Sequence, residues 1–155
     1  AEWLPAFVKD HDLSVHHSGH IPGDGRHFAA RAGLRRVSTI PMSLVKDYPK
    51  LFAPIHIGLV PLVLNDFNEA KSYLKGLEYA ASGVPFIASP SLEYEMLAEA
   101  GVGRIARTPD EWRDHATELL DPDVRRAEAE RNRAIVQQEF HISRRGEAWD
   151  TAIRG

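Results

Sequence analysis

Three side chains at helical spacing are the first that could do chemistry. In the stretch NDFNEAKSYLKGLEYAASG, residues 65 to 83, Lys71, Lys75 and Glu78 stand at i, i+4 and i+7, so a helix through residues 69 to 82 carries all three on one face. Leu74, Leu77 and Ala81 form an apolar stripe largely opposite. Two lysines in the first two turns oppose the helix macrodipole, which favours anions at that end, by up to about 1 kcal/mol each when exposed. A bound anion resolves the conflict. A diphosphate at the helix start accepts hydrogen bonds from the amides around Asn68 to Lys71 and from the Lys71 ammonium, while Glu78 accepts them from ribose hydroxyls. The plainer reading is a solvated helix face, in which Lys75 and Glu78 form a weak surface pair and Glu69 already serves the dipole.

Other polar clusters carry less. His16 and His17 are adjacent on a strand and so face opposite ways, and no acidic partner stands at ligand spacing, so no metal site is expected. His20, on the loop that follows, could bond a phosphate or sugar, or could be an ordinary loop histidine. Asn65 and Asp66 are the first polar residues after an apolar strand, and shaping a turn explains them. The sequence contains no Ser-His-Asp order, no phosphate-binding Gly-x-x-x-x-Gly-Lys loop and no G-x-G-x-x-G fingerprint. Trp3, Trp112 and Trp149 are read as packing anchors.

The elements that must position these residues alternate. Residues 3 to 10 suit a short helix and Leu13 to His17 a strand ending at Ser18-Gly19. Gly23-Asp24-Gly25 suits a turn, Arg26 to Ala32 a weak helix, and Val37 to Ile40 a second strand. Residues 43 to 52 read as helical, limited by Pro49, and His56 to Leu62 as a buried central strand. After the helix at 69 to 82, Gly83 supplies a stop, and Phe86 to Ser89 is a further strand. Residues 91 to 100 form a helix capped by Ser91 or Ser89 and closed by Gly101, before a short strand at Arg104 to Ala106. Thr108-Pro109-Asp110-Glu111 begins another helix, and residues 121 to 155 are helical with a break near His141-Ile142-Ser143. Short apolar strands alternating with helices imply a parallel sheet covered on both faces, with ligands held beyond the carboxyl ends of the strands. That points to the loops opening at Gly19, Pro41, Leu62 and Ser89.

Composition narrows the class. A chain of 155 residues suits one domain, and 43% hydrophobic with 26% charged residues is ordinary for a globular protein. A net charge of -3 with scattered Lys and Arg advertises no nucleic-acid partner. No cysteine is present, which removes disulfides, thiolate ligation and a cysteine nucleophile, and suits a cytoplasmic setting. No apolar stretch approaches the roughly 20 residues of a membrane span.

The order IHIGLVPL, FNEAKSYLKGLEYAASGVPFIAS and EYEMLAEAGVGRIA, over residues 55 to 106, resembles the C-terminal, donor-binding domain of GT-B glycosyltransferases of the group 1 type. That pattern is an apolar strand ending in Pro, a donor-binding loop and helix, E-x-x-A-x-G-x-P, a strand, and an acidic-capped helix. The resemblance implies a Rossmann-like α/β/α fold with a mostly parallel sheet. It also implies a first βα unit that the matched stretch lacks. Glu78 then holds the donor ribose, Asn68, Lys71 and Ser72 meet the diphosphate and sugar, Gly19-His20 matches the glycine loop, and Ile40 to Met42 lie against the base. Lys71 and Glu78 are the two residues expected to carry the transfer. Tyr94 and Glu95 fall where related enzymes place a residue that contacts sugar or helix. The family's commonest version has a second Glu eight positions before the ribose carboxylate, where this chain has Ala70; Glu69 is one residue off and is not given that role. Phe67 to Ser72 instead resemble a variant F-N-x-A-K-S subgroup, similar to proteins of actinobacteria and their phages.

The resemblance implies a hexosyl-type transferase that takes a nucleoside-diphosphate sugar, with no required metal and no cofactor besides that donor. Its acceptor domain lies N-terminal, on the same or another chain, so these residues alone bind donor and turn over little. The acceptor is left open among sugar, lipid, protein and modified DNA. The alternative is a Rossmann-like scaffold that binds no donor.

Overall fold

The computed structural model describes residues 3–18, 33–40, 44–144 and 146–154. Helix α1 (Trp3–Asp10) leads into strand β1 (Val15–Ser18), and β2 (Val37–Ile40) is followed by a 3-10 stretch at Val45–Phe52. Strand β3 (Gly58–Val60) opens onto a short helix, α2 (Asp66–Glu69), then α3 (Leu74–Ala81), β4 (Phe86–Ala88), α4 (Leu92–Glu99) and β5 (Arg104–Ile105). Helices α5 (Pro109–Glu118) and α6 (Pro122–Ile135) follow, then a π turn at Val136–Phe140, a 3-10 turn at Ile142–Arg144 and α7 (Gly146–Arg154). The expected turn at 23 to 25 and helix at 26 to 32 lie outside the described residues.

The strands run parallel, as their alternation with helices requires. They form two ladders among the described residues. One pairs β1 with β2, Val15 opposite Val37 through Ser18 opposite Ile40; the other has the order β3-β4-β5, with Gly58 opposite Phe86 and Ile87 opposite Arg104. Strand β4 is buried on both sides, and its period of two sorts the core. Phe86 and Ala88 join Ala80 of α3, Tyr94 and Leu97 of α4 and Val136, while Ile87 between them joins Phe7 of α1 and Ala116 of α5, together with Leu119. Helices therefore cover both faces, as expected for the doubly wound class. Gly76 lets α3 approach closely, since a Cβ there would stand 2.8 Å from the Phe86 ring and 2.9 Å from Leu97.

Local signals placed the later helices well. Thr108 caps α5 by accepting the Glu111 amide with Pro109 in the first turn, and Asp121 caps α6 by accepting the amides of Asp123 and Val124. The break near His141 is present. The apolar anchor roles are borne out for Trp3 and Trp112, which stack at 6.5 Å between centroids; Trp149 differs, being 65% exposed on α7. Behind β5, Arg104 donates to Glu128 from Nε at 2.8 Å and to Glu118 from Nη1 at 2.5 Å. Glu128 is 3% exposed, so its pair with Arg104 ties β5 to α6 in the interior, while the exposed Glu118 links Arg104 to α5 at the surface.

Candidate functional site

The single helix expected over residues 69 to 82 is two helices. Asn65 caps α2 by accepting the Asn68 amide at 2.9 Å, as its turn-shaping role implies, and the Asn68 side chain donates to the Val63 carbonyl at 2.7 Å. The chain then leaves the helical path between Ala70 and Tyr73 and starts again at Leu74. Two ties hold the break: a local one from Asn68 to Val63 in the loop after β3, and a long-range one from the Glu69 carboxylate to the Leu92 amide of α4 at 3.1 Å. Glu69 thus caps α4, the task assigned to Ser91 or Ser89. Ser91 is the N-cap residue but makes no capping hydrogen bond, and the Ser89 hydroxyl accepts from the Leu62 amide instead.

The break separates the three expected side chains. Lys71 sits between the helices, exposed, its ammonium 4.7 Å from the Phe67 ring centroid, and it forms no ion pair among the described residues. Ser72 beside it is exposed. Lys75 and Glu78 remain together on α3, with Nζ donating to Oε2 at 2.6 Å. The free amides move as well. Those of Asn68 to Lys71, expected to greet an anion, are bonded to Asn65, Asp66 and Asn68. In the first turn of α3 the N-cap residue Tyr73 makes no side-chain cap, which leaves the amides of Leu74 and Lys75 with no intrahelical partner, while the buried Gly76 amide meets the Tyr94 oxygen.

Tyr48, which sequence reasoning missed, completes the arrangement. Its hydroxyl donates to Glu78 Oε2 at 2.8 Å and accepts from Lys75 Nζ at 2.5 Å, so the three groups form a closed triangle. No local spacing reveals a partner 30 residues away; it arises because the segment after β2 and the segment after β3 meet. Aromatic packing fixes that meeting. Tyr48 lies edge-on to Phe52, Phe52 edge-on to Tyr79, Tyr79 stacks on Phe86, and Phe86 meets Tyr94, each pair 5.4 to 6.2 Å between centroids. Gly58 makes room for the run, because a Cβ there would stand 2.8 Å from the Tyr79 ring. Burial pushes the Lys75 ammonium pKa down, but its hydrogen bonds to Glu78 and Tyr48 outweigh that and leave it above the ordinary lysine value. Burial also raises Tyr79 and Tyr94 above the ordinary tyrosine value, and both stay neutral at physiological pH.

Every hydrogen bond to the Glu78 carboxylate among the described residues falls on Oε2; Oε1 carries none. The site therefore offers a part-buried carboxylate with one oxygen free of hydrogen bonds, a cation at Lys71 with no counter-ion among the described residues, and uncapped amides at the start of α3. Chemically that is an acceptor for hydroxyls beside a cradle for an anion. Gly19, His20 and Met42 lie outside the described residues. His16 bonds the Ser38 hydroxyl through Nδ1 at 2.6 Å, which ties β1 to β2. Tyr94 is buried, and Glu95 forms a surface ion pair with Arg107 at 2.5 Å. Among the described residues, no helix is long and apolar enough to cross a membrane.

A family model described as glycosyl transferase-like matches residues 6–151. The chain superposes with a TM-score of 0.64 on the crystal structure of WaaG, a glycosyltransferase involved in lipopolysaccharide biosynthesis. Sequence identity is 22%, over 83% of this chain and 35% of that one, so the likeness is one of fold and this chain spans about a third of that protein. No curated protein matches the chain.

Proposed function

Because the chain belongs to the glycosyl transferase-like family, we propose that it holds the activated donor, a nucleoside-diphosphate sugar. In this reading the diphosphate rests on the uncapped amides of α3, with Lys71 and Ser72 beside it, and the ribose meets Oε1 of Glu78. When the bond between the anomeric carbon and the diphosphate oxygen breaks, the electron pair leaves with the diphosphate. The α3 amides and the Lys71 ammonium meet that growing negative charge, which is where fixed dipoles contribute most to such a step. The acceptor hydroxyl, and the base that takes its proton, belong to a second domain across the cleft.

The observation that carries the proposal is the meeting of unlike groups between the two parallel ladders: Tyr48 from the segment after β2, and Lys71, Lys75 and Glu78 from the segment after β3. Parallel α/β folds place ligands at such a junction. The scaffold reading draws on the fact that Lys75 and Glu78 already satisfy each other. It gives no purpose to Oε1 and Lys71, which carry no hydrogen bond and no ion pair, respectively, among the described residues. The cytoplasmic setting, the hexosyl type, and the N-terminal acceptor domain as partner belong to the proposal with the donor.

Calorimetric titration with uridine, guanosine and adenosine diphosphates, each without added metal, tests the proposal. One base is expected to bind in preference, and Glu78→Gln is expected to weaken that binding by about tenfold or more, the loss of a hydrogen bond to a charged group. Equal silence toward all three supports the scaffold.

A further inference from the structure

Glu78 presents an acceptor on one side only. Oε2 receives the Tyr48 hydroxyl at 2.8 Å and the Lys75 ammonium at 2.6 Å, and Lys75 also donates to the Tyr48 oxygen at 2.5 Å. The tyrosine proton is committed to Glu78, and each member of the triangle touches both others. An ionised carboxylate can only accept, so Oε1 fits a group that brings hydrogens, namely hydroxyls, and opposes a phosphate placed there.

Tyr48 is what makes the presentation directional. Lys75 alone, with three rotating donors on a flexible stem, could chelate both carboxylate oxygens and draw Oε1 away from a ligand. The Tyr48 hydroxyl holds Oε2 from a second direction. Its ring cannot drift, because the edge-to-face run through Phe52 and Tyr79 connects it to Phe86 in the core. We propose that Tyr48 is a positioning residue of the donor site, which turns Glu78 Oε1 toward a ribose diol and makes the site select nucleotides with free 2′ and 3′ hydroxyls. The inference rests on the donor reading above.

The test is a titration of the whole chain with the preferred ribonucleoside diphosphate and with its 2′,3′-dideoxy counterpart, on the wild type, Tyr48→Phe and Glu78→Gln. Tyr48→Phe keeps the ring and its packing and removes only the hydroxyl. Wild type is expected to prefer the ribose form by about tenfold or more, as a lost hydrogen bond to a charged group predicts. Tyr48→Phe is expected to cut that preference to about two- or threefold by weakening the ribose form while leaving the dideoxy form unchanged. A merely structural role would weaken both ligands alike, and that result, or an undiminished preference in Tyr48→Phe, overturns the inference. Lys75→Met gives a second check that keeps every ring of the aromatic run, over which the Lys75 ammonium lies at Tyr48 and Phe52: with the other donor to Oε2 gone, the preference is expected to fall as well, and its full retention in both variants also overturns the inference. The donor reading fails separately, if wild type binds neither nucleotide or if Glu78→Gln binds the ribose form as tightly as wild type.

Discussion

Lys71 and Lys75 look equivalent in the sequence and are not equivalent in the fold. Lys75 is neutralised by Glu78 and held by Tyr48, whereas Lys71 stands exposed with no ion pair among the described residues. Only Lys71 is then free to meet a phosphate. Lys71→Ala is expected to weaken nucleoside diphosphate binding by about three- to tenfold, the range for an exposed charge beside a helix start, and to leave the unphosphorylated nucleoside unaffected. Titrations at low and high salt check this, because an exposed contact is screened and the difference between wild type and variant should shrink as salt rises. Glu69 shows the same lesson from the other side. Its position one residue away from the family's second Glu gave it no role, and its carboxylate instead caps α4 at Leu92.

At the scale of elements, what was legible was local. Capping by Thr108 and Asp121, the break near His141, the strand at Val37 to Ile40 and the two-faced burial of Phe86, Ile87 and Ala88 all follow from neighbours in sequence. The division of residues 69 to 82 was not legible. Their spacing satisfies a continuous helix, and the interruption is held by Asn68 bonding Val63 in the loop after β3 and by Glu69 reaching across to α4. The partner of Arg104 was hidden for the same reason, since Glu128 lies two helices later. Glu128→Ala is expected to destabilise the chain by about 3 kcal/mol, the low end for breaking a buried pair because Glu118 still partners Arg104. Urea unfolding followed by circular dichroism reads it, and an unchanged midpoint would mean that the pair is not buried in solution.

For the molecule as a whole, the class was readable from the alternation of strands and helices, and the resemblance over residues 55 to 106 agrees with the family match over 6–151 and with the WaaG fold. The candidate site, which still awaits a binding experiment, was readable only in part. Glu78 and Lys71 are singled out by their types and spacing, but Tyr48 beside Glu78 and the uncapped amides of α3 depend on where the segments after β2 and β3 meet, which no spacing within one segment encodes. The central claim is that a nucleoside diphosphate binds at that meeting place. Amide chemical shifts of the labelled chain, recorded during titration with the preferred nucleoside diphosphate, test it most directly. The account predicts changes concentrated at Tyr48, Lys71 to Lys75 and Glu78. Changes confined to another surface, such as the groove between Gly83 and Arg133, or no changes at saturating nucleotide, would contradict it.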